Sequence, residues 1–359
     1  MPQGKTSHLV VHVGDRKTGS TSIQEALATK RVSVEGKTLC YPSRMAHNYL
    51  RHELASTSDL SKTSFQSLME NIYKEGADFT ILSSELLELV DPKRMKVVKE
   101  RYFDQVSDSV QFLAYLRPHA ARIVSSCAEQ FKIGTHQGGL EDFFLKTMKN
   151  REYYYYSRVS RWKEILGETY VLRPMIRSEL KNSNVVDDFL HTAFQGHPFS
   201  IAAGASANES LGLRDLMLLK LIHRFTQDHP PQKRLQIGWT IAQLINEDED
   251  EDKNEPQDKL RIHRSLAERV AKTYRKDAKK VDAMMFDGRS LLQAELDKAV
   301  DTAPVAAQSL EPEDYFSPNE RRAIVSLAKT IGRLMGMNGV APHLFQSRVQ
   351  AMHDSIYDI

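Results

Sequence analysis

Cysteine is scarce in this chain, with Cys40 and Cys127 the only two in 359 residues. Two cysteines cannot form the disulfide framework of a small secreted domain, nor a cysteine-based metal cluster, and we do not expect them to pair. Their scarcity is typical of a protein from a reducing compartment. No stretch approaches the roughly 20 consecutive apolar residues that a membrane-spanning helix needs.

An excess of charge of either sign is also missing. Lysine and arginine number 49 against 47 acidic residues, which leaves a formal net charge of +2. A charge this small creates no overall field that would draw the protein to nucleic acid or to an anionic bilayer, so any anion site must be local. The N-terminal residues lack the apolar core of a signal peptide, and we therefore expect a cytoplasmic protein.

What the chain does contain is the composition of an ordinary globular protein, with 41% hydrophobic and 27% charged residues. Four apolar segments predict buried strands, at 8–13, 78–84, 110–116 and 169–174. Segments with helical spacing of their apolar residues alternate with these strands. This alternation predicts an α/β fold with three layers, in which helices cover both faces of a mostly parallel sheet. Ligands of such folds bind at the carboxyl ends of the strands.

Beyond about residue 208 the patterns are helical, at 210–225, 259–286 and 320–335. Between them, the acidic segment 246–258 cannot form a core, and we expect an exposed insertion there. A second loose segment, 301–320, precedes the last helix. We therefore divide the chain into an α/β domain at 1–300, and a linker with a C-terminal helical extension at 301–359.

The first predicted strand runs into a loop that is typical of phosphate binding. Gly14 and Gly19 have the spacing of a Walker A loop, but Ser20 stands where that motif has its lysine, and Lys17 comes three positions earlier. Backbone N–H groups of such a turn and of a helix N-terminus bind anionic oxygens. The displaced lysine disrupts the expected magnesium geometry, and this favours a phosphate or phosphosulfate that is bound without a metal.

The segment Lys17-Thr18-Gly19-Ser20-Thr21 resembles the 5′-phosphosulfate loop of sulfotransferases that use 3′-phosphoadenylyl sulfate (PAPS). Arg117, at the end of the third predicted strand, and Ser125, eight positions later, have the spacing of that family's 3′-phosphate site, with Ser126 as the neighbouring alternative. The order of further motifs over residues 8–290 is similar to the bacterial branch of the family. The resemblance implies a P-loop-like sulfotransferase fold.

The resemblance also implies PAPS as the co-substrate, with no metal required. The residues assigned to donor binding are Arg16, Lys17, Thr18, Gly19, Ser20, Thr21, Ser22, Arg117, Ser125 and Arg173. Lys17 would in addition stabilise the charge that develops on the departing phosphate oxygen.

Glu85 is the main candidate for the base that activates the acceptor, because it follows the second predicted strand and should emerge beside the loop. Its alternative role is that of an acidic residue in the first turn of a helix. His47 and His52 lie in a polar segment that could line the acceptor cleft, and each is a second candidate base. For His12, inside the first strand, burial with a hydrogen bond is the simpler interpretation.

We therefore predict an enzyme that transfers a sulfuryl group from PAPS to an acceptor hydroxyl by in-line displacement. A glycan, a lipid, a small alcohol or an amine would each fit as acceptor, and the sequence identifies none of them. The alternatives are an ATP-dependent small-molecule kinase, and a non-catalytic nucleotide-binding protein on the same fold. No nucleic-acid partner and no membrane span are expected.

Overall fold

The computed structural model describes residues 4–43, 45–56, 64–203, 210–247 and 258–336. Most of the acidic segment predicted at 246–258, and the part of the C-terminal extension after residue 336, lie outside these ranges. Within them, no helix is long and apolar enough to cross a bilayer.

A five-stranded parallel sheet forms the centre of the molecule. Its strands are β1 (His8–Gly14), β3 (Leu39–Cys40), β4 (Phe79–Ser83), β5 (Val110–Leu116) and β6 (Tyr170–Pro174). They lie in the order β3-β4-β1-β5-β6, so β1 is central and pairs with β4 on one side and with β5 on the other. A separate antiparallel pair is formed by β2 (Val32–Val34) and β7 (Phe199–Ile201).

Side chains alternate across the sheet, as the two-residue period of a strand requires. Leu9 and Val11 of β1 belong to one core, and Val10 belongs to another on the opposite face. Every residue of β1 is buried, which explains why its sequence is almost continuously apolar rather than alternating. Both faces of the sheet are therefore covered, as in the predicted three-layer arrangement.

Helices supply both outer layers and the C-terminal part. They are α1 (Ser20–Ala28), α2 (Tyr49–Ser56), α3 (Ser64–Glu75), α4 (Pro92–Val98), α5 (Asp104–Val106), α6 (His119–Lys132), α7 (Leu140–Lys149), α8 (Tyr156–Leu166), α9 (Val185–Ala193), α10 (Leu213–Arg224), α11 (Pro231–Glu247), α12 (Arg264–Met285), α13 (Leu291–Asp301) and α14 (Pro318–Gly336). Helix α6 packs against α10, α11, α12 and α13. It therefore joins the sheet to the C-terminal helices.

The predicted α/β class, with its parallel sheet and helical C-terminal part, is confirmed. The four predicted strands coincide with β1, β4, β5 and β6. Strands β2, β3 and β7 were not predicted, because two or three residues are too short to show a period. The short strand β3 at the sheet edge brings the sheet to five strands.

The strand order determines where a ligand site can form. Gly14, Ser83 and Leu116 end β1, β4 and β5, and these three ends lie at the same edge because the strands are parallel and adjacent. Strand β1 is central, with neighbouring strands on both sides, and the loop that follows it lies at the carboxyl edge of the sheet. Ligands of open α/β sheets usually bind at this position.

Candidate functional site

The loop between β1 and α1 has the conformation of a tight cradle. Lys17 and Gly19 both have positive φ angles, 65° and 84°. A Cβ atom on Gly19 would lie 2.6 Å from Cγ1 of Val185, the first residue of α9, so a larger residue has no room there. The Thr18 hydroxyl donates a hydrogen bond to the Asp15 carbonyl, which stabilises the turn between these two residues.

The loop leads directly into the N-terminus of α1, which is open to an anion. No side chain caps this end, and its first turn contains no acidic residue. Ser20 is buried, and its hydroxyl lies beside the Glu85 carboxyl, whose pKa it lowers. Thr21 and Ser22 follow in partly exposed positions. A helix N-terminus with hydroxyl groups and without a competing carboxylate in its first turn is suited to bind phosphate.

Arg117 connects the two predicted halves of the site. Its Nη1 donates to the backbone oxygen of Lys17 at 2.9 Å and to Ser125 Oγ at 3.0 Å. The Tyr155 hydroxyl in turn donates to the Arg117 carbonyl at 3.0 Å. The structure therefore brings Lys17, Arg117 and Ser125 together, although they come from the loop, from the residue after β5 and from α6.

A largely buried group of charged residues contacts the first residues of the loop, Asp15 and Arg16. Arg158 on α8 contacts both carboxylate oxygens of Asp15, at 2.7 and 2.5 Å. Glu88 accepts from Arg16 Nε at 2.8 Å and lies 4.0 Å from Arg122, whose Nη1 donates to the Arg16 carbonyl. Burial is the largest single effect on the Asp15 carboxyl and would raise its pKa, but the charge and hydrogen bonds of Arg158, the charge of Arg122 and a hydrogen bond with Glu88 together lower that pKa.

Glu85 lies beside the cradle, as the sequence predicts for a residue that follows β4. It begins a 3₁₀-helix, Glu85–Leu89, and a Cβ on Gly14 would lie only 2.9 Å from its carbonyl oxygen. Burial raises the pKa of the Glu85 carboxyl, against the opposing effects of the neighbouring Ser20 hydroxyl and the charge of Lys17. A half-buried carboxyl with a raised pKa is suited to accept a proton near neutral pH.

Lys17 itself pairs with a carboxylate that the sequence did not single out. Its Nζ lies 3.1 Å from Oε2 of Glu129 on α6, and Lys132 Nζ lies 2.7 Å from the same oxygen. The Trp239 indole on α11 donates to the other oxygen, Oε1, at 3.3 Å. Burial would raise the pKa of Glu129, but the charges of Lys132 and Lys17 lower it to about 2.

The three histidines considered as site residues differ in their exposure. His47 is fully buried, and its Nδ1 accepts from the Ser83 backbone N–H at 3.1 Å, while burial lowers its pKa to about 4. His52 is exposed on α2. His12 is buried, with Nδ1 2.8 Å from Ser83 Oγ, in accordance with the simpler interpretation of its role.

Arg173 on β6 is engaged elsewhere. Its Nε and Nη2 contact the two oxygens of Asp188 on α9, at 2.9 and 2.5 Å, and Asp188 also accepts from the Tyr115 hydroxyl. The hydrogen bonds of Arg173 thus use Nε and Nη2, which leaves Nη1 for any contact with a ligand. A surface cavity of about 530 Å³ lies near the end of α9, lined in part by Lys181, His191 and His197, and contains none of the predicted site residues.

The structure thus brings together most of the predicted site and adds residues that sequence reasoning missed. Among these are Asp15, Glu88, Arg122, Glu129, Arg158 and Trp239. Asp15 and Arg158 are 143 positions apart, and Glu129 and Trp239 are 110 apart, so no local pattern links them. The one available signal was the position of Glu129, four residues after Ser125 on the same helical face.

Comparisons with known proteins give little further information. No protein-family model matches this chain, and no curated protein matches it in sequence. Among solved structures, a sulfotransferase from Alicyclobacillus acidocaldarius is similar with a TM-score of 0.39 and 11% sequence identity, over 77% of this chain and 95% of that chain. A similarity this distant establishes neither a family nor an activity for this chain.

Proposed function

We propose that this protein is a PAPS-dependent sulfotransferase that acts on an acceptor hydroxyl. The observation that supports this most directly is the contact of Arg117 with both the Lys17 carbonyl and Ser125. One adenosine with phosphate groups on its ribose 3′ and 5′ oxygens can reach the loop and the Arg117–Ser125 pair, because the two clusters are in direct contact. Had they faced separate cavities, a single nucleotide could not have reached both.

The residues present fit such a donor. Loop residues 16–19 and the uncapped start of α1 form a cradle for the phosphosulfate end, and the buried hydroxyl of Ser20, the first residue of α1, can donate there. Both described bonds of Arg117 use Nη1, which leaves Nε and Nη2 for the 3′-phosphate. A guanidinium binds phosphate well because its planar donors match two phosphate oxygens.

The chemistry follows from this arrangement. PAPS supplies an activated sulfuryl group, and adenosine 3′,5′-bisphosphate is the product that leaves. Glu85 takes the proton from the acceptor hydroxyl as the acceptor oxygen forms its bond to sulfur. Lys17 and the loop N–H groups stabilise the negative charge that develops on the phosphate oxygen when its bond to sulfur breaks.

Two measurements test this proposal. Isothermal titration calorimetry should show that adenosine 3′,5′-bisphosphate binds without added magnesium and more tightly than ADP, with or without magnesium. The purified protein should then transfer labelled sulfuryl groups from PAPS to at least one member of a panel of sugars, lipids, alcohols and amines.

Each contrary result has a distinct meaning. Magnesium-dependent binding of ATP in preference to adenosine 3′,5′-bisphosphate would favour a kinase. Tight binding of the bisphosphate, without transfer to any acceptor and without an effect of Glu85→Gln on binding, would favour a non-catalytic nucleotide-binding protein.

A further inference from the structure

Helix α6 is linked to Lys17 in two ways, directly through Glu129 and indirectly through Ser125 and Arg117. Ser125 and Glu129 are four residues apart and therefore lie on the same side of the helix. Through Arg117, Ser125 is linked to the Lys17 carbonyl, while Glu129 pairs directly with the Lys17 ammonium at 3.1 Å. The backbone and the side chain of this loop residue are thus both fixed from one helix face.

Glu129 is surrounded by donors. Lys17, Lys132 and the Trp239 indole all contact its two oxygens, at 3.1, 2.7 and 3.3 Å. A carboxylate with this many donors stays ionised and is a weak base, because protonation would cost it these bonds. The contact with Trp239 also connects α11, and with it the C-terminal helices, to the side chain of the loop lysine.

Glu85 is a second carboxylate close enough to Lys17 to be affected by its charge. The groups that act on its carboxyl are Ser20 from α1, Lys17 and Arg16 from the loop, and Glu129 from α6. Lys17 could in principle pair with either carboxylate. In the structure its ion pair is with Glu129, and although its charge lowers the pKa of Glu85, the larger effect of burial keeps that pKa raised.

We propose that Glu129 is a positioning residue: it holds the Lys17 ammonium at the mouth of the loop and leaves Glu85 as the carboxylate that receives the acceptor proton. This inference rests on the proposed function. Glu129 itself touches neither the donor nor the acceptor in this scheme. It acts through Lys17, and its negative charge contributes to the raised pKa of Glu85.

The test compares Glu129→Gln with wild type and with Glu141→Gln. Glu141 on α7 is a matched control, because it too contacts a ring nitrogen and a cationic side chain, those of His263 and Arg269, at 3.2 Å each. Amine-reactive labelling of Lys17, quantified by mass spectrometry, should be about two- to fivefold faster in Glu129→Gln, since the ammonium loses its partner. Labelling in Glu141→Gln should equal wild type.

Kinetics provide the second readout. In Glu129→Gln, kcat should fall about tenfold while the KM for the acceptor stays unchanged, since Lys17 is displaced from the leaving group. The acidic limb of the kcat/KM profile should shift by about 0.5 pH unit or more to lower pH, because a negative charge near Glu85 is gone. A residue that only stabilised the fold would leave this limb in place.

The outcomes separate the inference from the proposed function. Unchanged Lys17 labelling in Glu129→Gln, or an acidic limb that does not move, would overturn the positioning role. Absence of sulfuryl transfer by the wild-type protein would instead overturn the proposed function, and the labelling experiment would still decide whether Glu129 holds Lys17. Equal melting temperatures of wild type and variant would show that the changes do not reflect unfolding.

Discussion

Arg117 Nη1 donates a hydrogen bond to the Lys17 carbonyl at 2.9 Å, although the two residues are 100 positions apart in the chain. This bond joins the loop after β1 to the end of β5, and the same nitrogen continues to Ser125 on α6. The proposed donor site is therefore one connected structure, and each of its parts can be tested separately.

The first prediction concerns the charge of Lys17. Lys17→Ala should lower the rate of sulfuryl transfer about a hundredfold or more, because a preorganised cation no longer faces the departing phosphate oxygen. Transfer from labelled PAPS measures this directly. Lys96→Ala, which removes an exposed lysine on α4, is the control and should retain wild-type activity. Unchanged turnover in Lys17→Ala would remove this residue from the mechanism.

The second prediction concerns the shape of the Arg117 side chain. Arg117→Lys keeps the charge but loses the planar donor group that joins Lys17 to Ser125. The affinity for adenosine 3′,5′-bisphosphate, measured by calorimetry, should fall about tenfold to a hundredfold, which corresponds to the loss of charged hydrogen bonds. Arg161→Lys, at an exposed ion pair with Asp91, should bind as wild type does. Full affinity in Arg117→Lys would show that charge alone suffices.

The third prediction concerns the space at Gly19. Gly19→Ala should abolish measurable binding of the bisphosphate, because the new methyl group would meet Val185 and the backbone would keep an unfavourable positive φ. Adding Val185→Ala removes the steric contact but leaves the backbone strain. The double variant should therefore recover part of the affinity. Recovery to the wild-type value would mean that the backbone conformation does not matter.

The fourth prediction concerns the buried ion pair below the loop. Asp15→Asn should lower the free energy of unfolding at pH 7 by about 3 kcal/mol, because Arg158 loses its closest buried counter-charge and keeps only the more distant Glu88. Because the pKa of Asp15 is lowered in the folded protein, its contribution is complete above the usual aspartate value of about 3.9 and is lost as the pH falls through its lower folded-state pKa.

Denaturant unfolding at several pH values measures this contribution. The difference between wild type and Asp15→Asn should be constant near neutral pH and should shrink in acid. Asp297→Asn, at an exposed pair with Arg275, should have a much smaller effect at any pH. A difference that stayed the same down to the lowest pH would argue against an ionised Asp15.

The fifth prediction concerns Glu85. Its pKa is raised, and only the ionised form can take a proton, so kcat/KM should rise with pH through a value above the usual glutamate pKa of about 4.3. Glu85→Gln should remove this limb and lower kcat by about a hundredfold or more. Glu168→Gln, at a highly exposed position, should change neither. An intact acidic limb in Glu85→Gln would assign the base role to another group.

The positions of the four longer strands and of the loop could be predicted because their signals are local. A continuous apolar run, as in β1 or β5, fits a strand that is buried on both faces, and glycines at 14 and 19 indicate backbone conformations that few other residues adopt. Helix α11 was not predicted. The contact of its Trp239 with Glu129 was therefore not predicted either.

The rest of the site depends on contacts between distant segments. Nothing near Arg158 in the sequence indicates that it pairs with Asp15, and the burial of His47 follows from its packing against Tyr41 and Ser83 rather than from its own segment. The pairing of Arg173 with Asp188 is similar, since only the packing of α9 against the end of β6 brings the carboxylate to it. Partners of this kind become visible only once the fold is known.

The pairing of Asp15 with Arg158 also has a consequence for the order of events during synthesis. The glycine loop leaves the ribosome early, but the residue that anchors it is made 143 positions later, on α8. A nascent chain that ends before α8 contains the complete loop motif without its anchor. We therefore expect nucleotide recognition to begin only after α8 has emerged and docked, so that short fragments carrying the motif would not retain the donor on an affinity resin.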